Sequence, residues 1–309
     1  MKWYVLNRIA QGLFTIWAVT AVLFCLTRIF GDPISLMLPL EATEQDRQNL
    51  TRLLNLDKPI PVQYLYYIND VAHGNFGFSY VFRQPAAEVI LKRIPATMEL
   101  ACGAMIFSIL IGITAGMLSV LRPRTWIERI SMGLALFGQA APFFWVGLVL
   151  IMLFSVYLGL LPSSGRGGLV NLILPSITLG MWSTAAIARL TRSRMKEVLS
   201  KEYIKLARLK GLRESVIIWK HAFRNATIPI VTLIGLELGS MLGGAVVTET
   251  VFAWPGIGRL VIESVLLRDY ALVSGITIFV SFIFVGLNLV IDLTYGIIDP
   301  RVALSKRSV

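Results

Sequence analysis

The chain has 309 residues, with 29 lysines and arginines against 18 aspartates and glutamates, a formal net charge of +11, and 56% hydrophobic against only 15% charged residues. Its mean hydropathy of +0.71 excludes an ordinary water-soluble domain, in which about a quarter of the residues are charged. The basic excess does not indicate nucleic acid either, because it is confined to short stretches between long apolar runs, the bias expected of cytoplasmic loops in a membrane protein.

The first uncharged run, Ile9–Thr27, follows Lys2 and Arg8. A basic flank before an apolar run also fits a signal peptide, but no small-x-small cleavage site precedes Gly31, so an uncleaved first span is expected. The stretch Gly31 to Pro95 is polar, with turn signals at Gly31-Asp32-Pro33, Lys58-Pro59-Ile60-Pro61 and His73-Gly74-Asn75. Within it Thr43–Leu54 predicts a short helix, with Thr43 as N-cap and Asp46 in the first turn. Such an external segment either receives a partner or shields the spans.

Further uncharged runs are Leu100–Leu121, Ile130–Gly165, Gly167–Ala188 and Ala271–Ile291, and Asn225–Thr248 is interrupted only by Glu237. About 20 apolar residues rising 1.5 Å each cross the ~30 Å hydrocarbon layer. The run Ile130–Gly165 is long for one span, since as a helix it would extend about 54 Å. It reads as one span with an interfacial lead-in, or as two short spans broken near Pro142. Two spans would place the basic stretch Arg189–Arg224 on the opposite side from Arg122–Arg129, against the charge bias. The expectation is therefore an all-α polytopic membrane protein with about six transmembrane helices and both termini cytoplasmic. Residues 1–30 would form the N-terminal end and first span, 31–97 an external segment, and 98–309 a five-helix core with a cytoplasmic loop at 191–228. Glu249–Tyr270 would be a second external piece: a Trp-Pro-Gly turn, then Ile257, Leu260, Val261, Ser264 and Val265 at helical spacing.

No G-x-x-x-x-G-K-[ST], H-E-x-x-H or G-x-S-x-G pattern occurs, so neither a P-loop nor a built-in hydrolase is indicated. His73 and His221 fall on opposite sides of the membrane in this topology. Cys25 and Cys102 both lie in predicted spans and read as small apolar fillers. The most informative stretch is the loop between spans four and five. Ser200 is placed to cap a helix over Lys201–Lys210, and Gly211 to end it in a left-handed turn. With Lys205, Arg208, Lys210 and Arg213 this helix suits equally a cleft in a cytosolic protein or a resting place on anionic lipid. In span five Gly235, Gly239 and Gly243 form a small-residue stripe that favours helix packing over pore lining. Glu237 lies in the same span off that face, with Ser240 nearby. It reads equally as a contact for a cationic solute group and as a hydrogen-bonded structural carboxylate. Gln139 and Pro142 in span three, and Asn288 and Asp292 in span six, are weaker candidates of the same kind.

The loop Tyr203-Ile-Lys-Leu-Ala207-Arg-Leu-Lys-Gly211-Leu, continuing through His221-Ala-Phe-Arg-Asn225-Ala-Thr-Ile-Pro229, resembles the signature of binding-protein-dependent ABC transporter permeases, specifically the dipeptide/oligopeptide/nickel branch. The family's Glu-Ala-Ala start is here Lys205-Leu206-Ala207, with the third position kept. Gly211 matches, and Pro229 stands at the spacing of this branch. Glu249-Thr-Val-Phe-Ala-Trp-Pro-Gly-Ile-Gly-Arg259 and Arg268-Asp269-Tyr270 are similar to the same branch, as are Gly31-Asp32-Pro33, Leu56-Asp57-Lys58-Pro59, Pro95-Ala96-Thr97-Met98-Glu99-Leu100 and Asp299-Pro300-Arg301. They run in family order from residue 28 to residue 301.

The resemblance implies a transport subunit rather than an enzyme, working in a heteromeric importer. Two related permease subunits form its pathway, two cytosolic ATPase subunits bind ATP and Mg, and an external binding protein delivers solute. No cofactor is implied on this chain. Ser200–Arg213 becomes the coupling helix, with Tyr203, Lys205, Ala207, Arg208, Gly211, Leu212, Arg213 and Glu214 as its ATPase-coupling residues. The solute class implied covers dipeptides, longer peptides, glutathione, nickel chelates and some sugars, with selectivity set by the binding protein.

Overall fold

A segment inside a bilayer must satisfy its backbone N–H and C=O groups internally, so long apolar runs become helices. The computed structural model describes residues 2–30, 43–53 and 56–298. In chain order these form α1 (Lys2–Phe30), α2 (Glu44–Leu53), α3 (Ile60–Ala72), a hairpin of β1 (Phe78–Ser79) and β2 (Gln84–Pro85), α4 (Ala86–Leu121) and α5 (Trp126–Ala140). Next come α6 (Phe143–Leu150), which runs on as a π-helix over Ile151–Tyr157, then α7 (Leu169–Leu199) and α8 (Glu202–Leu209). A turn of helix at Glu214–Val216 and a second π-helix at Ile217–Phe223 lead into α9 (Arg224–Val251), followed by α10 (Ile257–Leu266) and α11 (Tyr270–Ile298).

Four of these helices, α1, α4, α7 and α11, are long and apolar enough to cross a membrane, and two bent pairs raise the number to six. One pair is the predicted third span. Its two helices, Glu128–Ala140 and Phe143–Tyr157, meet at 116°, so the run Ile130–Gly165 is sharply bent near Pro142, as a broken span or a re-entrant piece is. The cause is local: Pro142 forces Ala141 into extended backbone, with φ −79° and ψ 133°. The other pair, Glu214–Met241 and Gly243–Val251, is bent by 56° within the predicted fifth span.

Helix ends depart from expectation where polar residues are good helix formers. At 36 residues α4 is about 54 Å long; it begins at Ala86, inside the segment expected to be external, and carries Pro95 within it. The helix α7 likewise runs through Arg189, Arg192, Arg194 and Lys196 to Leu199, so the basic loop starts later than its charges suggest. The short predicted helix at Thr43 is present as α2. Gly31-Asp32-Pro33 and Asp299-Pro300-Arg301 lie outside the described residues.

The chain forms two compact units, Met1–Ile94 with Leu260–Val290, and Pro95–Arg259 with Ile291–Val309. In the first, α1 meets α3 through Phe24, whose ring stacks edge-on to Tyr64 at 5.2 Å between centroids, and burial pushes the Tyr67 phenol up to about 12. Gln63 pins the preceding turn by donating to the Leu56 and Lys58 carbonyls. Gly12 lets α1 cross α11, since a Cβ there would lie 2.6 Å from Val285 Cγ1. The hairpin pairs Phe78 with Pro85 and Ser79 with Gln84. Ser79 donates to Asp269, which also accepts from the Leu272 N–H at 3.1 Å and so caps α11.

The second unit is a bundle in which α7 is central. Ser108 of α4 donates across to the Gly180 carbonyl at 2.7 Å, and Gly112 and Gly116 bring α4 onto Ile187, Ala188 and Thr191. One apolar cluster gathers Leu100, Ala104, Leu179, Met241, Ala245 and Trp254. A second gathers Met117, Ile187, Met195, Ile204, Ile217 and Ile230. The buried Ile204 belongs to the short helix α8, so that helix is held against the bundle.

Candidate coupling surface and polar sites

The loop after α7 is built from its ends inward. Ser200 does not start α8, as expected; it closes α7, its hydroxyl donating to the Glu197 carbonyl at 2.7 Å. Lys201 takes the N-cap place with extended backbone and no side-chain cap bond. A serine at a helix junction serves either helix, and here the polar end of α7 claims it. The C-terminus of α8 follows expectation closely. Gly211 has φ +76°, its N–H bonds the Arg208 carbonyl at 3.0 Å and the Leu212 N–H bonds the Ala207 carbonyl at 3.3 Å. This is the Schellman arrangement, and an L side chain at Gly211 would be strained.

Two staples then fix the loop. Arg208 pairs with Glu214 through both Nε, at 3.2 Å, and Nη2, at 2.6 Å, and that hydrogen bond holds the guanidinium above its ordinary value. Asn225 donates to the Tyr203 hydroxyl at 3.1 Å and to the His221 carbonyl at 2.7 Å, tying α8 to the second π-helix. Ile204, with 0% exposure, is the anchor on the inner face, and Ala207 is half-buried beside it. On the other side Leu206 is 53% and Leu209 85% exposed, with Tyr203 and Leu212 exposed as well. Residues three apart on a helix lie on neighbouring positions of one side, so Tyr203, Leu206 and Leu209 form an apolar ridge on α8, with exposed Leu212 beyond the Gly211 turn and exposed Lys205, Lys210 and Arg213 around it.

Of the expected coupling residues, Tyr203, Lys205, Leu212 and Arg213 thus lie at the surface. Ala207 points to the core, Gly211 shapes the turn, and Arg208 and Glu214 hold each other. Leu209 and the anchor Ile204 were not among the expected site residues. Their signal was present: apolar residues on opposite sides of a short charged helix, one to hold it and one left outward.

The membrane candidates do not gather into one site. Glu237, half-buried on α9, accepts a hydrogen bond from Ser183 of α7 at 2.6 Å, and Ser240 stands 3.4 Å from the same oxygen. Gln139 on α5 is bound instead by Arg189 of α7. Pro142 marks the 116° break and caps α6. Asn288 is half-buried, and the Asp292 side chain lies outside the described residues. Two glycines of the stripe make no close approach to another helix among the described residues. A methyl group at Gly239 or Gly243 would meet no atom within 4 Å among the described residues. Gly243 sits where α9 bends, the use to which glycine pairs are put in helices. Gly235 is half-buried. The close-packed glycine on α9 is Gly244, 3.1 Å from Leu179 once a Cβ is added. Cys25 and Cys102 are free and exposed on their helices.

A polar site that sequence reasoning recorded only as a motif is the knot around Glu249. Its carboxylate, with 0% exposure, accepts from Thr97 Oγ1 at 2.7 Å and from the Arg259 N–H at 3.0 Å. Thr97 in turn accepts the Ile257 N–H at 2.8 Å, and the Trp254 indole donates to the Ala96 carbonyl at 2.7 Å. Gly256 leaves room for the carboxylate, since a Cβ would lie 2.1 Å from Glu249 Oε1. Ala253, with φ +48°, completes the turn. Each polar atom named here is satisfied inside the protein.

Fold and surface together define a polytopic helical membrane protein whose outward short helix is fixed to the bundle, the organisation of a transport subunit. The comparisons place it more narrowly. Residues 108–304 match the family model of the binding-protein-dependent transport system inner membrane component. Residues 1–101 match the N-terminal model of the binding-protein-dependent transport system membrane component. The chain belongs to this family. It is 38% identical over 300 residues, 97% of this chain and 98% of the relative, to the glutathione transport system permease protein GsiC of Escherichia coli strain K12. The same figures hold for GsiC of Shigella dysenteriae serotype 1 strain Sd197. Among solved structures, an inward-facing form of the MetNI methionine ABC transporter matches with a TM-score of 0.56 at 17% identity, covering 68% of this chain and 96% of that one; at that identity the likeness shows the fold alone. The protein is thus a multi-pass membrane permease subunit of an ABC importer, in the dipeptide/oligopeptide branch, and not an enzyme.

Proposed function

We propose that the chain forms half of the translocation pathway for a peptide-like solute and is driven through α8 by a cytosolic ATPase subunit. The observation that carries this reading is the apolar ridge ending in Leu209, presented outward on a helix that Ile204 anchors to the bundle. An exposed large apolar group rimmed by charge marks a partner surface, and an anchored helix transmits a push to the spans it contacts. In this reading the loop 200–213 is cytoplasmic, as are both termini, and residues 31–97 lie outside, facing the binding protein. The second pathway half is a related permease subunit, and ATP and Mg are bound by the ATPases, with no cofactor on this chain.

ATP binding closes the ATPase pair and moves α8 as a rigid lever. The spans then exchange between two packed arrangements, inward- and outward-facing, because tightly packed interfaces are bistable and do not deform continuously. The stapled turn at Gly211 and the Arg208–Glu214 pair keep that lever stiff. Glutathione or another short peptide is favoured as solute over a nickel chelate, on the strength of the named relatives. Glu237, held by Ser183, is then a polar group for the solute's amino end.

The test is isolation of the tagged chain from its native membrane in mild detergent, with mass spectrometry of what accompanies it. A second six-span permease together with P-loop ATPases is the expected result. Recovery of this chain alone, or as a homo-oligomer transporting without an ATPase, would overturn the proposal. The solute is tested separately, by ATP-dependent uptake of glutathione, dipeptides and nickel chelates.

A further inference from the structure

We propose that the space between α4, α5 and α7 is a binding site for an anionic phospholipid, with one acyl chain in the cavity and the headgroup phosphate on the arginines of the α4–α5 turn. The cavity has a volume of about 360 Å³ and lies among Phe107, Ile111 and Leu118 of α4, Ile130 and Ser131 of α5, and Met181 of α7. Its origin is geometric. Gly112 and Gly116 draw α4 onto α7, and Gly138 draws α5 onto Met181 of α7. Between these close approaches the small residues Ala115, Thr184 and Ala188 leave a wedge unfilled. Ile111, Leu118 and Ile130 are exposed at its rim, so in a bilayer it opens to lipid chains and not to water.

The end of the cavity is basic. Leu118 is one helical turn before Arg122, and Ile130 follows Arg129 directly. Arg122, Arg124 and Arg129 are all exposed. Glu128 is the one acid between Leu121 and Ser131, and it is engaged by Arg192 of α7 and by the Arg124 backbone N–H. Among the described residues the three guanidiniums are therefore left to another anion. Trp126, 70% exposed, stands at the same level, where an indole sits between headgroups and chains. A basic pocket between spans is the arrangement that holds an anionic headgroup.

A lipid tail gains little by leaving other tails for an apolar wall. The cavity therefore selects for shape and the arginines select for charge, so anionic over zwitterionic preference must vanish with the arginines alone. The site requires only that the chain spans a bilayer and does not depend on how the ATPase docks.

The test purifies the assembled transporter in detergent micelles holding equal amounts of phosphatidylglycerol and phosphatidylethanolamine, and measures retained lipid by mass spectrometry. The expected result is about fivefold enrichment of phosphatidylglycerol, lost in the triple variant Arg122→Gln, Arg124→Gln, Arg129→Gln. In a second measurement a photoreactive residue at Leu118 is expected to label phospholipid in the native membrane. Equal retention of both lipids would overturn the proposal. So would a crosslink from Leu118 to a helix of the second permease, which would make the cavity a subunit interface.

Discussion

The α8 ridge and the Glu249 knot are both segments of family-like sequence, both rich in glycine turns and charged groups, yet they spend those groups in opposite ways. Around Glu249 the carboxylate, a threonine hydroxyl and two backbone N–H groups bond to one another, and the Trp254 indole N–H bonds the Ala96 carbonyl beside them. On α8 the bonds are local staples that shape the loop, and the large side chains Leu206 and Leu209 remain outside. A region that satisfies itself acts as a fixed end of the bundle, whereas one that leaves apolar surface open is completed by another molecule. The proposed rigid-body exchange needs both, a firm frame and a handle.

That contrast can be broken at the frame most severely. Glu249→Ala is expected to strand the Thr97 hydroxyl and the Arg259 N–H in the core, at about 1–3 kcal/mol for each stranded group. Gly256→Val should do as much by collision with the carboxylate. Both should lower the thermal unfolding temperature and the yield of assembled permease, whatever the ATPase does. If either variant unfolded at the wild-type temperature, the knot would not be structural.

At the handle the expected effect is on association and not on folding. Leu209→Glu should weaken ATPase retention about 30-fold, as loss of a central apolar anchor does, while the stability of the chain changes by no more than about 0.5 kcal/mol. Quantitative co-purification with the ATPase checks the first part and a thermal melt the second. A melt shifted as far as that of Glu249→Ala would place Leu209 in the frame.

Between these lies Gly211→Ala, which forces a methyl group into left-handed backbone at about 1–2 kcal/mol. It should reduce ATP-driven uptake with the ATPase still bound, since the lever is softened but its ridge is intact. Smallest is Arg208→Ala. An exposed ion pair contributes about 1 kcal/mol or less, so uptake should fall slightly, and more at low salt than at high, where the pair is already screened.

The apolar runs made the spans legible, because nothing but helix suits twenty such residues in lipid. Their ends were not legible. Lysine and arginine are good helix formers, so α7 continued through Arg189–Lys196, and nothing local told Ser200 which of two helices to cap. The Ala141–Pro142 break could be named from sequence, but not its angle of 116°. The stripe Gly235, Gly239, Gly243 marks small residues on one face without saying whether the helix opposite belongs to this chain or to another. The Glu249 knot left the weakest trace, since Thr97 is far away along the chain and acidic residues near a membrane usually face water. The ridge on α8 could be read as helix, turn and charge, but its outward leucines became distinct from inward Ile204 only once the bundle showed which side was taken.

The coupling role proposed for α8 depends most directly on what touches Leu209. A photoreactive amino acid placed there, irradiated in native membranes under transport conditions, is predicted to crosslink to a P-loop ATPase subunit, with the yield changing when ATP is added. Crosslinks to phospholipid alone, unchanged by ATP, would make α8 a membrane-resting helix and contradict the coupling role.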